Sequence, residues 1–125
     1  MGTKLFFLGL AGALGTLARY GLVGIIQRTS LTTFPLGTTL VNLLGCLVFG
    51  LVWELTSERF QINTELRGCI LIGFMGAFTT FSTFIFESGR LLADGELAIG
   101  LGYMLAQNGG GLLLFFAGVM LARMI

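Results

Sequence analysis

Hydroxyl and aromatic side chains are concentrated in one stretch of an otherwise apolar segment, from Gly76 to Phe84, which reads GAFTTFSTF. Two adjacent β-branched threonines and a glycine three residues before them weaken a helix, and the hydroxyls can bond to nearby carbonyls. Inside a bilayer, irregular backbone persists only where protein or a water-filled cavity satisfies the freed polar groups. The stretch therefore predicts a broken membrane helix with a binding or conduction site at the break.

Asn42 is a second candidate, because its amide carries two donors inside an apolar segment. It shares a helical face with Thr38, Gly45 and Cys46, which lie three or four residues away from it. Burying an unpaired amide in hydrocarbon is costly, so Asn42 must have partners. The sequence leaves two interpretations open, namely a hydrogen bond that joins helices and a donor that faces a pore.

Phe81 and Phe84 alternate with Ser82 and Thr83, which brings aromatic rings and hydroxyls together where a helix restarts. The edge of an aromatic ring is positive, so ring edges can line the path of an anion without binding it as tightly as a full charge. Glu87 follows one turn after Thr83, and we interpret it as a helix-end carboxylate that is solvated or paired.

Two further polar positions lie in the first and last apolar segments. Arg19 lies well inside the first one, where an arginine is costly unless it snorkels to the surface or faces a cavity that attracts anions. Gln107 lies one turn after Tyr103 in the last one, before three consecutive glycines. It could extend a polar track or bond to a neighbouring helix.

Composition requires a membrane protein, since 55% of the 125 residues are hydrophobic and 10% charged, against roughly a quarter charged in soluble domains. A span needs about 20 apolar residues. Four segments qualify: Leu5 to Ile26, Leu36 to Leu55, Leu66 to Leu92 and Leu97 to Leu121. Short connections make consecutive helices antiparallel neighbours. We therefore predict an all-α membrane protein with a single four-helix transmembrane domain, residues 1–125, whose third helix is broken.

Several classes of function are excluded by composition. A net charge of +1 argues against nucleic acid as a partner. The absence of histidine and the lack of a CxxC spacing argue against a thiolate or imidazole metal site. The sequence also contains no nucleophile paired with a base and no phosphate-binding loop that would indicate an enzyme.

Membrane orientation is weakly specified by the basic residues. Lys4, Arg59, Arg67 and Arg123 fall on the side of the two termini, and Arg28 and Arg90 on the other. A chain with such a small bias can insert both ways up, which permits an antiparallel homodimer.

Three motifs, taken in order, resemble the Fluc family of small bacterial fluoride channels. Residues 12–20 (GALGTLARY) are similar to its first-helix glycine and Arg-aromatic motif, and residues 37–45 (GTTLVNLLG) to its second-helix asparagine motif. The stretch from Gly76 to Phe84 is similar to its broken third helix. The fourth segment departs from the pattern, because Gln107, Asn108 and glycines stand where relatives often have serine.

The resemblance implies passive fluoride export through two pores of an antiparallel homodimer in the bacterial inner membrane. It also implies a structural sodium ion at the dimer centre, held by the backbone carbonyls of Gly76 and Thr79, since hard cations prefer oxygen ligands. The other roles that it implies are pore lining for Asn42, Phe81 and Phe84, a polar track for Ser82 and Thr83, and a vestibule position for Arg19.

The leading alternative is a proton-coupled exporter of the small multidrug-resistance type, which also has four short spans and inserts in both orientations. Such an exporter needs a titratable carboxylate inside the membrane, usually in the first helix. The first segment here contains Arg19 and no acid. A helix bundle without transport activity is the third possibility, but it would not need a broken helix rich in hydroxyls.

Overall fold

The computed structural model describes residues 2–125, and the regular elements in that range are all helical. The helices are α1 (Gly2–Thr29), α2 (Leu36–Arg59), α3 (residues 64–78), α4 (Phe81–Ala93) and α5 (Leu97–Met124). Together α3 and α4 form one interrupted span, Thr64–Ala93. Within the described residues there are therefore four helical segments long and apolar enough to cross a membrane, which confirms the predicted architecture.

The end of α2 differs from the sequence prediction, which ended this span at Leu55 and placed Thr56 in the connection that follows. The helix instead continues through a wide π-type turn, Leu55–Arg59. The Thr56 hydroxyl donates to the Val52 carbonyl at 2.6 Å, so this polar group finds its partner within the helix. The connection ends at Asn63, whose Oδ1 accepts the Leu66 N–H at 2.7 Å and caps the start of α3.

Close contact between α2 and α5 depends on glycine at two places. A Cβ at Gly50 would overlap the Phe115 carbonyl, and a Cβ at Gly118 would overlap the Leu47 carbonyl. Small residues allow helix backbones to approach closely in lipid, where dispersion rather than water exclusion drives association. These two contacts hold α5 against α2 with little freedom to rotate, which matters for the polar side chains that both helices carry.

Helix α1 contacts α3 in a similar way. A Cβ at Gly15 would overlap the Phe74 carbonyl, and one at Gly12 would lie 3.7 Å from the Gly73 carbonyl oxygen. The small residues of the first span therefore allow the close helix approach that the sequence predicted. As a result α1 lies directly beside the half-helix that leads into the break.

Two buried apolar clusters lie on either side of the break. Val41, Met75 and Phe78 form the first, which joins α2 to the end of α3. The second consists of Phe84, Leu91 and Tyr103 and joins α4 to α5. The break between α3 and α4 is thus held from both sides by packed side chains, while its polar groups lie between the two clusters.

Candidate functional site at the helix break

The third span is interrupted at Thr79 and Thr80, as the sequence predicted. Thr79 has φ −87° and ψ 161°, and Thr80 has φ −148° and ψ 117°, so both are extended. The Thr79 N–H still donates to the Met75 carbonyl at 3.1 Å, which closes α3. Because the next residue leaves the helix, the backbone groups around the break need partners from elsewhere.

Thr80 acts as the N-cap of α4. Its Oγ1 accepts the Thr83 N–H at 3.3 Å and donates to Thr83 Oγ1 at 2.9 Å. Ser82 Oγ lies 3.5 Å from the same Thr80 hydroxyl. Threonine is a favoured cap, and the N-terminus of a helix carries a partial positive charge. The three hydroxyls of Thr80, Ser82 and Thr83 therefore surround a helix end that is suited to an anion.

Asn42 bridges the break with both ends of its amide. Its Oδ1 accepts the Thr80 N–H at 2.8 Å, and its Nδ2 donates to the Thr80 carbonyl at 3.0 Å. The same Nδ2 lies 3.1 Å from Gln107 Oε1 on α5. Of the two interpretations of Asn42, the bond between helices is confirmed, and this bond also fixes the amide at the wall of a cavity described below.

The carbonyl groups at the end of α3 are released by the same arrangement. In a continuous helix the Thr80 N–H would donate to the Gly76 carbonyl, but here it donates to Asn42. Arg19 Nε donates to the neighbouring Ala77 carbonyl at 3.1 Å. The guanidinium is half-buried and lies at the negative end of α3, a favourable position for a cation. The sequence did not predict this contact, and the vestibule role of Arg19 stays a prediction.

A cavity of about 250 Å³ opens beside the break. Its wall combines amides and aromatic rings from α2, α4 and α5 with the two threonines of the break. The lining residues include Asn42, Thr79, Thr80, Phe81, Phe84 and Gln107. Ser82, Thr83 and Arg19 are not among them, so the structure brings together only part of the predicted site. A larger cavity of about 610 Å³ lies between α1 and α3, but its wall is mostly apolar and distant from these polar groups.

Phe81 and Phe84 form an aromatic pair with different degrees of burial. Their ring centroids are 5.6 Å apart. Phe84 is only 5% exposed and packs edge-on against Tyr103, with centroids 5.3 Å apart, whereas Phe81 is 71% exposed. Phe84 is therefore fixed by the core, and Phe81 lies on an outer face that lipid or another subunit would cover.

A second polar cluster lies about one helical turn from Asn42. The sequence did not predict that its members would meet. Glu87 accepts hydrogen bonds from Thr38 Oγ1 at 2.9 Å and from the Tyr103 hydroxyl at 2.7 Å. Glu87 is thus a paired carboxylate, as one of the two interpretations held, but the prediction of a helix-end position was wrong because Glu87 lies in the middle of α4. Its signal in the sequence is a common four-residue spacing on three helices, in the pairs Thr38 and Asn42, Thr83 and Glu87, and Tyr103 and Gln107. The two clusters form consecutive layers of one polar track.

Comparison with known proteins gives a consistent family relationship. Residues 6–119 match the family described as CrcB-like protein, Camphor Resistance (CrcB). The chain is 53% identical to "Fluoride-specific ion channel FluC" of Solidesulfovibrio magneticus and 52% identical to the protein of that name from Nitratidesulfovibrio vulgaris, with 98% of each chain covered in both comparisons. It is 46% identical over the full length of both chains to the protein of that name from Nitrosococcus oceani.

Proposed function

Because this chain belongs to the CrcB-like family, we propose that it is a fluoride-selective ion channel and not an enzyme. The full-length similarity to proteins named fluoride-specific ion channels is the observation that carries this conclusion. The chain is a multi-pass membrane protein with four membrane-length helices among its described residues, and its place is the bacterial inner membrane. The hydroxyls and aromatic rings around the helix break provide the physical means to conduct an anion.

Fluoride is small and strongly hydrated, so a pore must replace part of its water with donors of its own. The hydroxyls at the start of α4 supply O–H donors, and Asn42, whose two N–H groups bond to Thr80 and Gln107, holds this wall of the cavity in place. The edges of the Phe81 and Phe84 rings supply weaker positive contacts on the other side. Several weak sites in sequence let the ion enter and also leave, which suits passive export.

The proton-coupled exporter is less favoured, because the first span has no acid and the family relationship points elsewhere. The two functions can be distinguished by measuring the efflux of fluoride, chloride and protons from liposomes that contain the purified protein. We expect rapid fluoride efflux, chloride efflux close to that of protein-free liposomes, and fluoride efflux that needs no proton gradient. Fluoride efflux at the protein-free rate, or efflux that stops when the proton gradient is removed, would contradict a channel.

We further propose that the chain pairs with a second copy of itself in antiparallel orientation. Large apolar side chains are exposed along the third span, among them Ile72 at 73% and Phe81 at 71%. Gly76 is also exposed, so this end of α3 reaches an outer face. A second subunit that packed there would bring two breaks together, and the pairing would create two pores, one beside each Asn42.

The Gly76 and Thr79 carbonyls fit the proposed structural sodium ion in their chemistry. Both are neutral oxygen donors, and the Gly76 carbonyl has lost the N–H that a continuous helix would offer it. Two such pairs, one from each subunit, would supply four oxygens to a hard cation. Sodium would then neutralise the partial negative charge of two helix ends and hold the subunits together.

We predict that the dimer is more stable in sodium than in a large organic cation. With sodium at about 100 times its dissociation constant, the expected stabilisation is about 2.7 kcal/mol. Thermal unfolding and size-exclusion chromatography in detergent, in sodium chloride and in N-methyl-D-glucamine chloride at equal ionic strength, measure this difference. Identical unfolding temperatures and elution volumes in both salts would rule out a structural sodium ion.

A further inference from the structure

The apolar cavity of about 610 Å³ between α1 and α3 has no part in the proposed channel. Its wall is formed by one stripe of side chains from each helix, and residues three or four positions apart share a helical face. The stripe on α1 consists of Phe7, Leu10, Ala11 and Leu14, and the stripe on α3 consists of Leu66, Ile70 and Phe74. The cavity is therefore a groove that runs along both helices, and we call it the α1–α3 groove.

The α1–α3 groove extends over about half of the membrane. Its mouth lies where both helices begin, beside Lys4 and Glu65, and the lining residues furthest from the mouth are Leu14 and Phe74. A helix rises about 1.5 Å per residue, so Thr3 and Leu14 are roughly 16 Å apart along α1. The hydrocarbon core is about 30 Å thick. The groove thus matches the depth of one lipid leaflet, whereas a helix of a second subunit would need a surface along the whole span.

The groove also lies apart from the face on which we place the second subunit. Ile72, Gly76 and Phe81 mark that face, and none of them lines the groove. Within the groove, Phe7 and Leu14 are each 53% exposed in the subunit. Pairing of two copies through the third span therefore leaves these apolar side chains open to the lipid around the protein.

The mouth of the groove carries one positive and one negative side chain. Lys4 Nζ and Glu65 Oε1 are 3.9 Å apart, which is too long for a hydrogen bond, and both side chains are more than half exposed. Lys4 thus keeps N–H donors for another partner, and Glu65 keeps oxygen acceptors. The headgroup of phosphatidylethanolamine is complementary to this pair, because its phosphate accepts from an ammonium and its primary ammonium donates to a carboxylate.

We propose that the α1–α3 groove binds one molecule of phosphatidylethanolamine, with an acyl chain along the groove and the headgroup between Lys4 and Glu65. A chain that enters the groove from the bilayer gains no hydrophobic energy, since it leaves one apolar medium for another. Selection therefore comes from the headgroup. Phosphatidylcholine has a quaternary ammonium without N–H groups, and phosphatidylglycerol has no cation, so neither satisfies both side chains. The site does not depend on the proposed channel function.

Titration of the purified protein in detergent with the dioleoyl forms of these three lipids tests the selection. Native mass spectrometry measures the fraction of protein that retains each lipid. We expect phosphatidylethanolamine to bind roughly fivefold more tightly than the other two, which is the size of effect that one exposed ion pair gives. Equal or tighter binding of phosphatidylcholine or phosphatidylglycerol would overturn the proposed site.

Glu65→Gln tests the role of the carboxylate. We expect this variant to bind phosphatidylethanolamine no more tightly than phosphatidylcholine, because the amide lacks the charge that attracts the primary ammonium. The matched control is Glu58→Gln, the same change at an exposed position near the same membrane surface and outside the groove, which should keep the preference of the unaltered protein. A full preference for phosphatidylethanolamine in Glu65→Gln would contradict the proposed headgroup contact.

Leu10→Trp tests the groove itself, because a larger side chain occupies the space of the acyl chain. We expect retention of phosphatidylethanolamine to fall roughly fivefold. Leu17→Trp is the control, since Leu17 is exposed on the same helix and does not line the groove. Unchanged lipid retention in Leu10→Trp would overturn the site. If that variant instead eluted as a monomer while the unaltered protein and Leu17→Trp eluted as dimers, the groove would be covered by a second copy of the chain and not by lipid.

Discussion

Asn42→Leu is expected to abolish measurable fluoride efflux and to lower the stability of the protein. Leucine has a similar volume but neither donates nor accepts hydrogen bonds. The substitution would leave the Thr80 N–H, the Thr80 carbonyl and Gln107 Oε1 without their observed partner. A buried group that loses its partner costs about 1–3 kcal/mol, so three such groups would cost at least about 3 kcal/mol. Unfolding in detergent and fluoride efflux from liposomes measure the two effects.

Asn42→Asp separates conduction from folding at the same position. The carboxylate keeps an oxygen for the Thr80 N–H but offers no donor, and it places a negative charge at the cavity wall. Both N–H groups of Asn42 bond within the protein, to Thr80 and Gln107, so the loss of efflux expected here comes from repulsion between the new carboxylate and the anion. We expect a smaller loss of stability than in Asn42→Leu together with strongly reduced fluoride efflux. Unimpaired efflux in Asn42→Asp would exclude Asn42 from the anion path.

Phe81→Ile and Phe84→Ile should both suppress fluoride efflux by an order of magnitude or more, because isoleucine has no positive ring edge to face an anion. Their effects on stability should differ. Phe84 is buried against Tyr103, and a change of shape in a packed core costs roughly 1–3 kcal/mol. Phe81 is 71% exposed on the described surface, so its replacement should leave the unfolding temperature of the subunit nearly unchanged.

Phe86→Ile is the matched control for these two variants. It makes the same change on the same helix, but Phe86 is 64% exposed and does not line the cavity beside the break. We expect Phe86→Ile to conduct like the unaltered protein. If Phe81→Ile and Phe84→Ile also conducted at the unaltered rate, the two rings would have no part in the path of the anion.

The sequence predicted the features that depend on local chemistry. Apolar run lengths located four spans, and the adjacent threonines Thr79 and Thr80 located the break, because β-branching and competing hydroxyls act within a single turn. The isolated amide of Asn42 signalled a buried partner, since hydrocarbon offers none. The small residues around Gly12 and Gly15 predicted a close helix contact, and the structure supplies the partner, which is α3.

Contacts between helices were not predictable to the same degree, because they depend on how each helix is rotated about its axis. The bond from Arg19 to the Ala77 carbonyl joins residues that are 58 positions apart. The pairing of Glu87 with Thr38 and Tyr103 requires α2, α4 and α5 to meet at one level. That level is determined by contacts such as Gly50 against Phe115, whose effect is visible only once the helices are packed.

The most direct test of the central claim is the reversal potential of currents through planar bilayers, with unequal fluoride concentrations on the two sides, chloride making up the difference, and equal pH on both. If the channel is selective for fluoride, we expect a current without any proton gradient and a reversal potential close to the fluoride equilibrium potential. A reversal potential near zero would mean that chloride passes as readily as fluoride. Absence of current from reconstituted protein, or a current only under a proton gradient, would contradict a channel altogether.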